Sequence, residues 1–466
     1  MMNTMKRLPI VMAALCLAGA ARAQEPLNLE KAIGIALEQN QQLRGASQDL
    51  EAAHWGKLNA VTNYLPKVEV ASGVTTIDPE TNRRSNAAVD FIKSSAGMLG
   101  IPPQFLTDLR PFTYLNTYGT TISVMQPIYN GGAEALSIRA ADAASDKSEY
   151  SFEDAQQDVI ARVRISYYTV LKAEEMLTLA KESAARTARY LETTRRRADV
   201  GQRTRTDVQR WEVQEASSKG VLITAQNFVA AARLQLNEVM GVDLNTQYAL
   251  EPVVSADSTD QNTTALVPML HQPVPETTST VNPDLLEGHP SMKLMETNLR
   301  LADLGIQKSW VNFQPRVNVG FQYGWEKNNT IALDGYKPWA LAMTVSWPIF
   351  SGFSDYTNLE KARYEYRRTE SQVESFRRGL LMQARNAEMN LVAARQRIEI
   401  ARKAKDQALD VLNSVTRRYE TGGASNVDLI DVQTAYTQAK TDYITAVYDY
   451  FIANVQLARA TGTIRQ

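Results

Sequence analysis

The sequence predicts a mainly α-helical protein with a small β part, built as two tandem repeats of helix, strand, strand, long helix, helix. Three observations predict it. The chain matches itself at a fixed offset, four short segments alternate apolar and polar residues, and two stretches of about 65 residues run without a proline.

The offset is 221 residues. It lays Pro127 on Pro348, Ile128 on Ile349, Gly131 on Gly352, Gly201 on Gly422, Asp207 on Asp428 and Gly241 on Gly462. Upstream it becomes 249, with Gly56 on Gly305, Asn63 on Asn312 and Pro66 on Pro315. The difference of 28 is an insertion in the first repeat, within roughly residues 78–111.

Strands are expected at about 66–77 and 115–126 in the first repeat, and at about 315–326 and 338–347 in the second. In the second copy Val317, Val319, Phe321, Tyr323 and Trp325 alternate with small or polar residues, as do Trp339, Leu341, Met343, Val345 and Trp347. Ten-residue alternation with aromatic ends fits a strand that crosses a bilayer. Four such strands leave open edges that lipid cannot satisfy, so the chain must share a barrel with copies of itself: two copies give 8 strands, three give 12, four give 16. The loop at about 78–114 then lies on the extracellular side. It is expected to be solvated or to hold a short packed helix, with a lid over the outer mouth as the alternative.

No proline lies between Pro127 and Gly201 or between Pro348 and Gly422. A helix of about 65 residues is roughly 100 Å long. The last helix carries a seam of alternating threes and fours at Leu429, Val432, Tyr436, Ala439, Tyr443, Ala446, Tyr450, Ala453 and Leu457. The first repeat copies it from Val208 and Trp211 through Glu215 and Ser218 to Leu236.

Lys6 and Arg7, an apolar run, and Ala21-Arg22-Ala23 read as a secretory leader over residues 1–23. Its removal takes three positive charges and brings the net charge from -1 to -4. It also takes Cys16, the one cysteine, so thiol chemistry and disulfides are not expected. The remainder divides into a first repeat, 24–251, a linker rich in Thr, Ser, Pro and Val, 252–283, and a second repeat, 284–466. The near-zero charge gives no field for nucleic acid. His54, His271 and His289 are scattered, and no phosphate loop or nucleophile motif is present, so neither a cofactor nor an enzyme is expected.

Gln126-Pro127-Ile128-Tyr129-Asn130-Gly131-Gly132 and its copy Trp347-Pro348-Ile349-Phe350-Ser351-Gly352-Phe353 resemble the strand-to-helix junction of the TolC-like outer-membrane efflux proteins. Residues 200–208 and 421–429 resemble that family's two helix-hairpin turns. The resemblance covers essentially the whole mature chain. It implies a homotrimer with a 12-stranded outer-membrane barrel continued by a periplasmic α-helical barrel, and a linker wrapping its equator. It also implies a passive duct in a Gram-negative outer membrane, coupled through a periplasmic adaptor to an inner-membrane pump.

The alternatives are the outer-membrane part of a type I protein secretion system and a periplasmic coiled-coil scaffold with no pore. By the same resemblance Asp428 and Asp431 form the pore constriction, Tyr419, Asp207, Thr206 and Arg203 the gate contacts, and Gly201, Gly422 and Gly423 the hairpin tips where the adaptor docks. Ala424 stands where the family places a basic lock residue, and Arg203 holds the corresponding place in the first repeat. Competing local readings stay open. Asp207 and Asp428 suit helix N-termini, Tyr419 suits the seam, the glycines suit the turns, and Arg195, Arg196 and Arg197 suit a solvated face.

Overall fold

The computed structural model describes residues 26–107, 109–251 and 286–464. The leader, 1–23, and the linker, 252–283, lie outside the described residues. Within them the order is α1 (Leu29–Gln39), α2 (Gln41–Thr62), β1 (Lys67–Thr76), α3 (Pro79–Ser95), α4 (Pro103–Leu106), β2 (Asn116–Asn130), α5 (Ala133–Asp199), α6 (Arg205–Met240), α7 (Pro290–Val311), β3 (Arg316–Lys327), β4 (Trp339–Ser346), α8 (Ser354–Glu420) and α9 (Asn426–Ala460). α5 and α8 are each continuous over 67 residues.

The described residues form two compact units, one within 51–147 and 296–372, the other within 26–50, 148–251, 286–295 and 373–464. The first holds a single antiparallel sheet in the order β1-β2-β3-β4. Its register places Val70, Ile122, Tyr323 and Trp339 in one row across the sheet and Val68, Val124, Phe321 and Leu341 in the next. Side chains alternate faces along a strand, so these residues share one face and the other carries Ala71, Gly73, Thr121, Ser123, Gly320, Gln322, Ala342 and Thr344. The apolar face is open. Val68, Val70, Leu341, Met343 and Trp347 are each more than 60% exposed.

The two repeats agree in detail. Gln126 Nε2 donates to the Tyr64 carbonyl oxygen at 2.9 Å, and Trp347 Nε1, its equivalent, donates to the Phe313 carbonyl oxygen at 3.1 Å. β2 runs on past the alternating pattern to Asn130, through a bulge between Pro127 and Tyr129. Pro127 cannot donate to a ladder, and a bulge is where a strand tolerates it. The insertion is not plain loop. Asp78 caps α3 through Thr81 N–H at 3.0 Å, Pro79 opens the helix, and Asn86 ties it to Phe112 and Thr113.

The second unit is helical. α1 buries Ala32, Ile33 and Ala36 against a core that includes Val163, Tyr167 and Val170 of α5, Leu236 and Met240 of α6, and Ile444, Val447 and Phe451 of α9. Every seam position named above in α9 is buried or half-buried, and so are Val208, Trp211, Glu215, Ser218 and Leu236 of α6. The Tyr167 hydroxyl donates to the carbonyl oxygens of Leu27 and Glu251, which fixes the entering chain beside the end of the first repeat. Gly241 ends α6 at φ 74 and lies so close to Gln39 that a Cβ would stand 2.5 Å from its carbonyl oxygen. No described helix is long and apolar enough to cross a membrane.

Candidate functional site

The two helix-hairpin turns, α5 to α6 and α8 to α9, belong to the helical unit and are built alike. In the first, Gly201 N–H donates to the Ala198 carbonyl oxygen and Gln202 N–H to that of Arg197. In the second, Gly422 N–H donates to the Tyr419 carbonyl oxygen and Gly423 N–H to that of Arg418. This paired pattern closes a helix C-terminus when one residue adopts a left-handed φ. Gly201 and Gly422 supply it at φ 76 and 82. Gly423 does not share that conformation, so the turn needs one glycine there and not two.

Each turn then opens the next helix with a reciprocal cap. Asp207 N–H donates to Thr204 Oγ1 at 3.2 Å, while Thr204 N–H and hydroxyl donate to Asp207 Oδ2 at 3.0 and 2.8 Å. Ser425 and Asp428 repeat this at 3.1, 2.9 and 2.8 Å. Partial burial pushes the Asp207 carboxyl upward, but the Thr204 N–H and hydroxyl, the buried Asn426 amide and the Arg203 charge together hold it below its ordinary value. The Asn426 amide acts there as a nearby dipole, without an aligned hydrogen bond. The Ser425 N–H, then its hydroxyl, hold the Asp428 carboxyl low in the same way, with Arg418 adding to them. Both carboxylates are thus helix caps. Asp431 lies one turn on from Asp428, and both are exposed.

Between the hairpins sits a small buried cluster of Leu191, Trp211, Leu412, Tyr419, Ala424 and Leu429. Tyr419 is 2% exposed. Its hydroxyl lies 3.3 Å from Thr194 Oγ1, and the Arg203 guanidinium carbon stands 4.8 Å from the centre of its ring. The guanidinium of Arg197 is 5.8 Å from the same ring. Tyr190 meets Tyr419 edge-on at 6.2 Å and stacks on Trp211 at 5.3 Å. The structure therefore brings Arg203 and Tyr419 together, while Asp207 caps its own helix with the Asn426 amide of the other hairpin nearby and Thr206 is exposed. Ala424 is buried in the cluster.

Sequence reasoning missed Tyr190 and Thr194, and it placed Arg197 on a solvated face. Arg195 and Arg196 do pair with surface carboxylates, Glu212 and Glu192. Beside the cluster, Thr206, Gln209, Arg210, Val213, Gln214, Val427 and Ile430 line an open groove between the starts of α6 and α9. Among the described residues no group of carboxylates, histidines or thiols could hold a metal ion.

The sequence profile of the outer membrane efflux proteins matches residues 32–242 and 281–463. The outer membrane protein TolC of Vibrio cholerae is 22% identical over 446 residues, covering 94% of this chain and 91% of that protein. The cobalt-zinc-cadmium resistance protein CzcC of Cupriavidus metallidurans is 23% identical over 94% of this chain and 91% of its own length. The crystal structure of the Campylobacter jejuni CmeC outer membrane channel superposes with a TM-score of 0.76 over 93% of this chain and 85% of that one, at 17% identity.

Proposed function

Since the chain belongs to the outer membrane efflux protein family, and is an outer-membrane channel subunit, we propose that three copies form one passive duct fed by an inner-membrane pump through a periplasmic adaptor. The observation that carries this reading is the sheet. It has four strands, one apolar exposed face, one small polar face and two unpaired edges. In lipid such edges must find partners, and copies of the same chain supply them. Three copies give 12 strands, with the small polar face lining the lumen.

The hairpin turns are the periplasmic mouth. The groove beside them, part apolar and part polar, suits the end of an adaptor hairpin. Asp428 and Asp431, one turn apart on an exposed side of α9, put two carboxylates per copy at that mouth, and a ring of carboxylates favours cations. The metal-resistance relative fits such a preference. The Arg203–Tyr419 contact joins the two hairpins of one copy and holds the mouth narrow.

Single-channel conductance in a planar bilayer tests the reading. Asp428→Asn/Asp431→Asn keeps an acceptor for the Ser425 N–H and removes both charges. Wild type is expected to conduct with cation preference, and the double variant to conduct with that preference reduced. Unchanged selectivity would remove the carboxylates from the mouth. A protein that gives no conductance and leaves the membrane in high salt without detergent would be a scaffold, not a duct.

A further inference from the structure

We propose that the insertion between β1 and β2 is a clasp that docks on the β3–β4 turn of the neighbouring copy at the outer end of the duct. This inference rests on the oligomeric duct just described. In the antiparallel order β1-β2-β3-β4, the β1–β2 and β3–β4 connections leave the same end of the sheet. β2 and β4 run on into the long helices at the opposite end. In the duct the end that carries the two connections therefore faces outward.

The insertion is a built element, not slack chain. The buried Asn86 side chain accepts from Phe112 N–H at 2.7 Å and Thr113 N–H at 3.1 Å, and donates to the Thr113 carbonyl oxygen at 2.8 Å. The Thr113 hydroxyl donates to Asn82 Oδ1 at 2.9 Å. Val89 and Ala96 are buried as well. With its backbone so held, the insertion still leaves Met98, Phe105 and Phe112 more than half exposed. Ile331, Leu333 and Tyr336 of the β3–β4 turn are also more than half exposed. Apolar side chains fixed in the open at one end of a sheet mark a contact surface.

Lipid, the same chain or a second copy could cover these side chains. Lipid stops short of them. Glu80 pairs with Arg83 at 2.7 Å and with Arg84 at 3.0 Å, and Lys327 pairs with Asp334 at 3.0 Å. Ion pairs at the base of both connections belong outside the hydrocarbon. The same chain does not cover them, since both sets stay open within it. A second copy is left, and the strand order favours it. Neighbouring strands stand about 4.8 Å apart. α3 begins at Pro79, just past the end of β1 at Thr76, and β1 is an edge of the sheet. In a barrel closed by copies of the chain, the β4 beyond that edge is one spacing away, whereas the chain's own β3 is two spacings away. The insertion thus springs up closer to the neighbour's β3–β4 turn than to its own. The second repeat has no insertion, so each copy gives one clasp and receives one.

Cross-linking between two separately tagged variants tests the clasp, because the one native cysteine, Cys16, falls in the leader. Chains carrying Phe105→Cys and chains carrying Leu333→Cys are produced together, so that they mix in one assembly, and treated with a short bis-maleimide. Both positions are exposed, so neither substitution disturbs the sheet. Neighbouring thiols on one assembly react at roughly millimolar effective concentration, so covalent dimer bearing both tags is expected at least about tenfold above dimer from either variant alone. As much dimer from Phe105→Cys alone as from the mixture would overturn the clasp, because the insertions would then meet one another over the mouth. Trimers in detergent with no cross-link in that mixture, nor in a mixture of Met98→Cys with Tyr336→Cys, would leave these side chains to lipid or solvent and would also overturn it. Absence of any oligomer in detergent would overturn the duct reading itself, and the clasp with it.

Discussion

Removing the guanidinium of Arg203 isolates the contact between the two hairpins. The group stands 4.8 Å over the ring of Tyr419, and that ring is buried while Arg203 is half-exposed. A cation over an aromatic face contributes about 0.5–1 kcal/mol when exposed and about 2 kcal/mol when desolvated. The half-buried geometry places Arg203 near 1 kcal/mol, at roughly the middle of that range. Arg197, at 5.8 Å, keeps the ring from losing all cationic cover.

If the contact holds the narrow mouth and is lost in the wide one, Arg203→Ala shifts the open-to-closed ratio about fivefold, since about 1.4 kcal/mol is a factor of ten. Arg203→Lys falls between, because a compact ammonium lacks the planar group that lies over the ring. Tyr419→Leu keeps apolar volume in the cluster and removes the ring face. Open probability in planar bilayers, measured for both single variants and the double, makes a cycle. The double variant is expected to open no more than Tyr419→Leu alone. An Arg203→Ala effect of undiminished size in the Tyr419→Leu background would refute the reasoning, because the guanidinium would then act on something else.

Two further outcomes follow from geometry. His289 is buried; its Nδ1 accepts from Ser291 N–H at 3.2 Å as the cap of α7, which leaves the proton on Nε2, toward the Arg459 carbonyl oxygen. Burial pushes its pKa below the ordinary 6.5, the Arg459 charge adds to that, and Asp154 and the Arg459 carbonyl oppose it. The folded ring therefore ionises below its unfolded value, so its contribution is complete above about pH 6.5 and falls as the pH drops through the folded value. Thermal midpoints from pH 7.5 down to 5 should fall less in His289→Asn, which keeps an acceptor for the cap, than in wild type; equal slopes would dismiss the histidine as the source. Gly241→Ala is expected to cost more than Gly201→Ala although φ is nearly the same. The Gly201 site is open, leaving about 1–2 kcal/mol of backbone cost, whereas at Gly241 the Gln39 backbone must also move. Equal losses in thermal midpoint would dismiss the close approach.

The repeat, the strands and the long helices were legible because each is written in local periodicity. Val317 to Trp325 alternates whatever surrounds it, and the seam from Leu429 to Leu457 follows helical spacing alone. The helix α1, split from α2, was not separated, although Asn40 signals the break by accepting from Leu43 N–H. Asp78-Pro79 likewise carries a cap and a helix-opening proline, and that pair favours the helix over the solvated loop, the two forms expected for the insertion. At the turns, Thr204 with Asp207 and Ser425 with Asp428 hold the spacing of a reciprocal cap. What could not be read was Tyr190 and Thr194, because their partner Tyr419 is more than 220 residues away, and no pattern within one helix encodes which residue of another repeat it meets.

That distance also explains how the tip differs from the family pattern. With an offset of 221, Tyr419 corresponds to Ala198 and Arg203 to Ala424. Each hairpin thus keeps one large member of the aromatic–basic pair and an alanine in place of the other. Divided between hairpins, the same two side chains meet across the interface, with Ala424 small enough to stay in the buried cluster beneath them. Ala424 thus leaves the Tyr419 ring to a cation carried by the other repeat, Arg203.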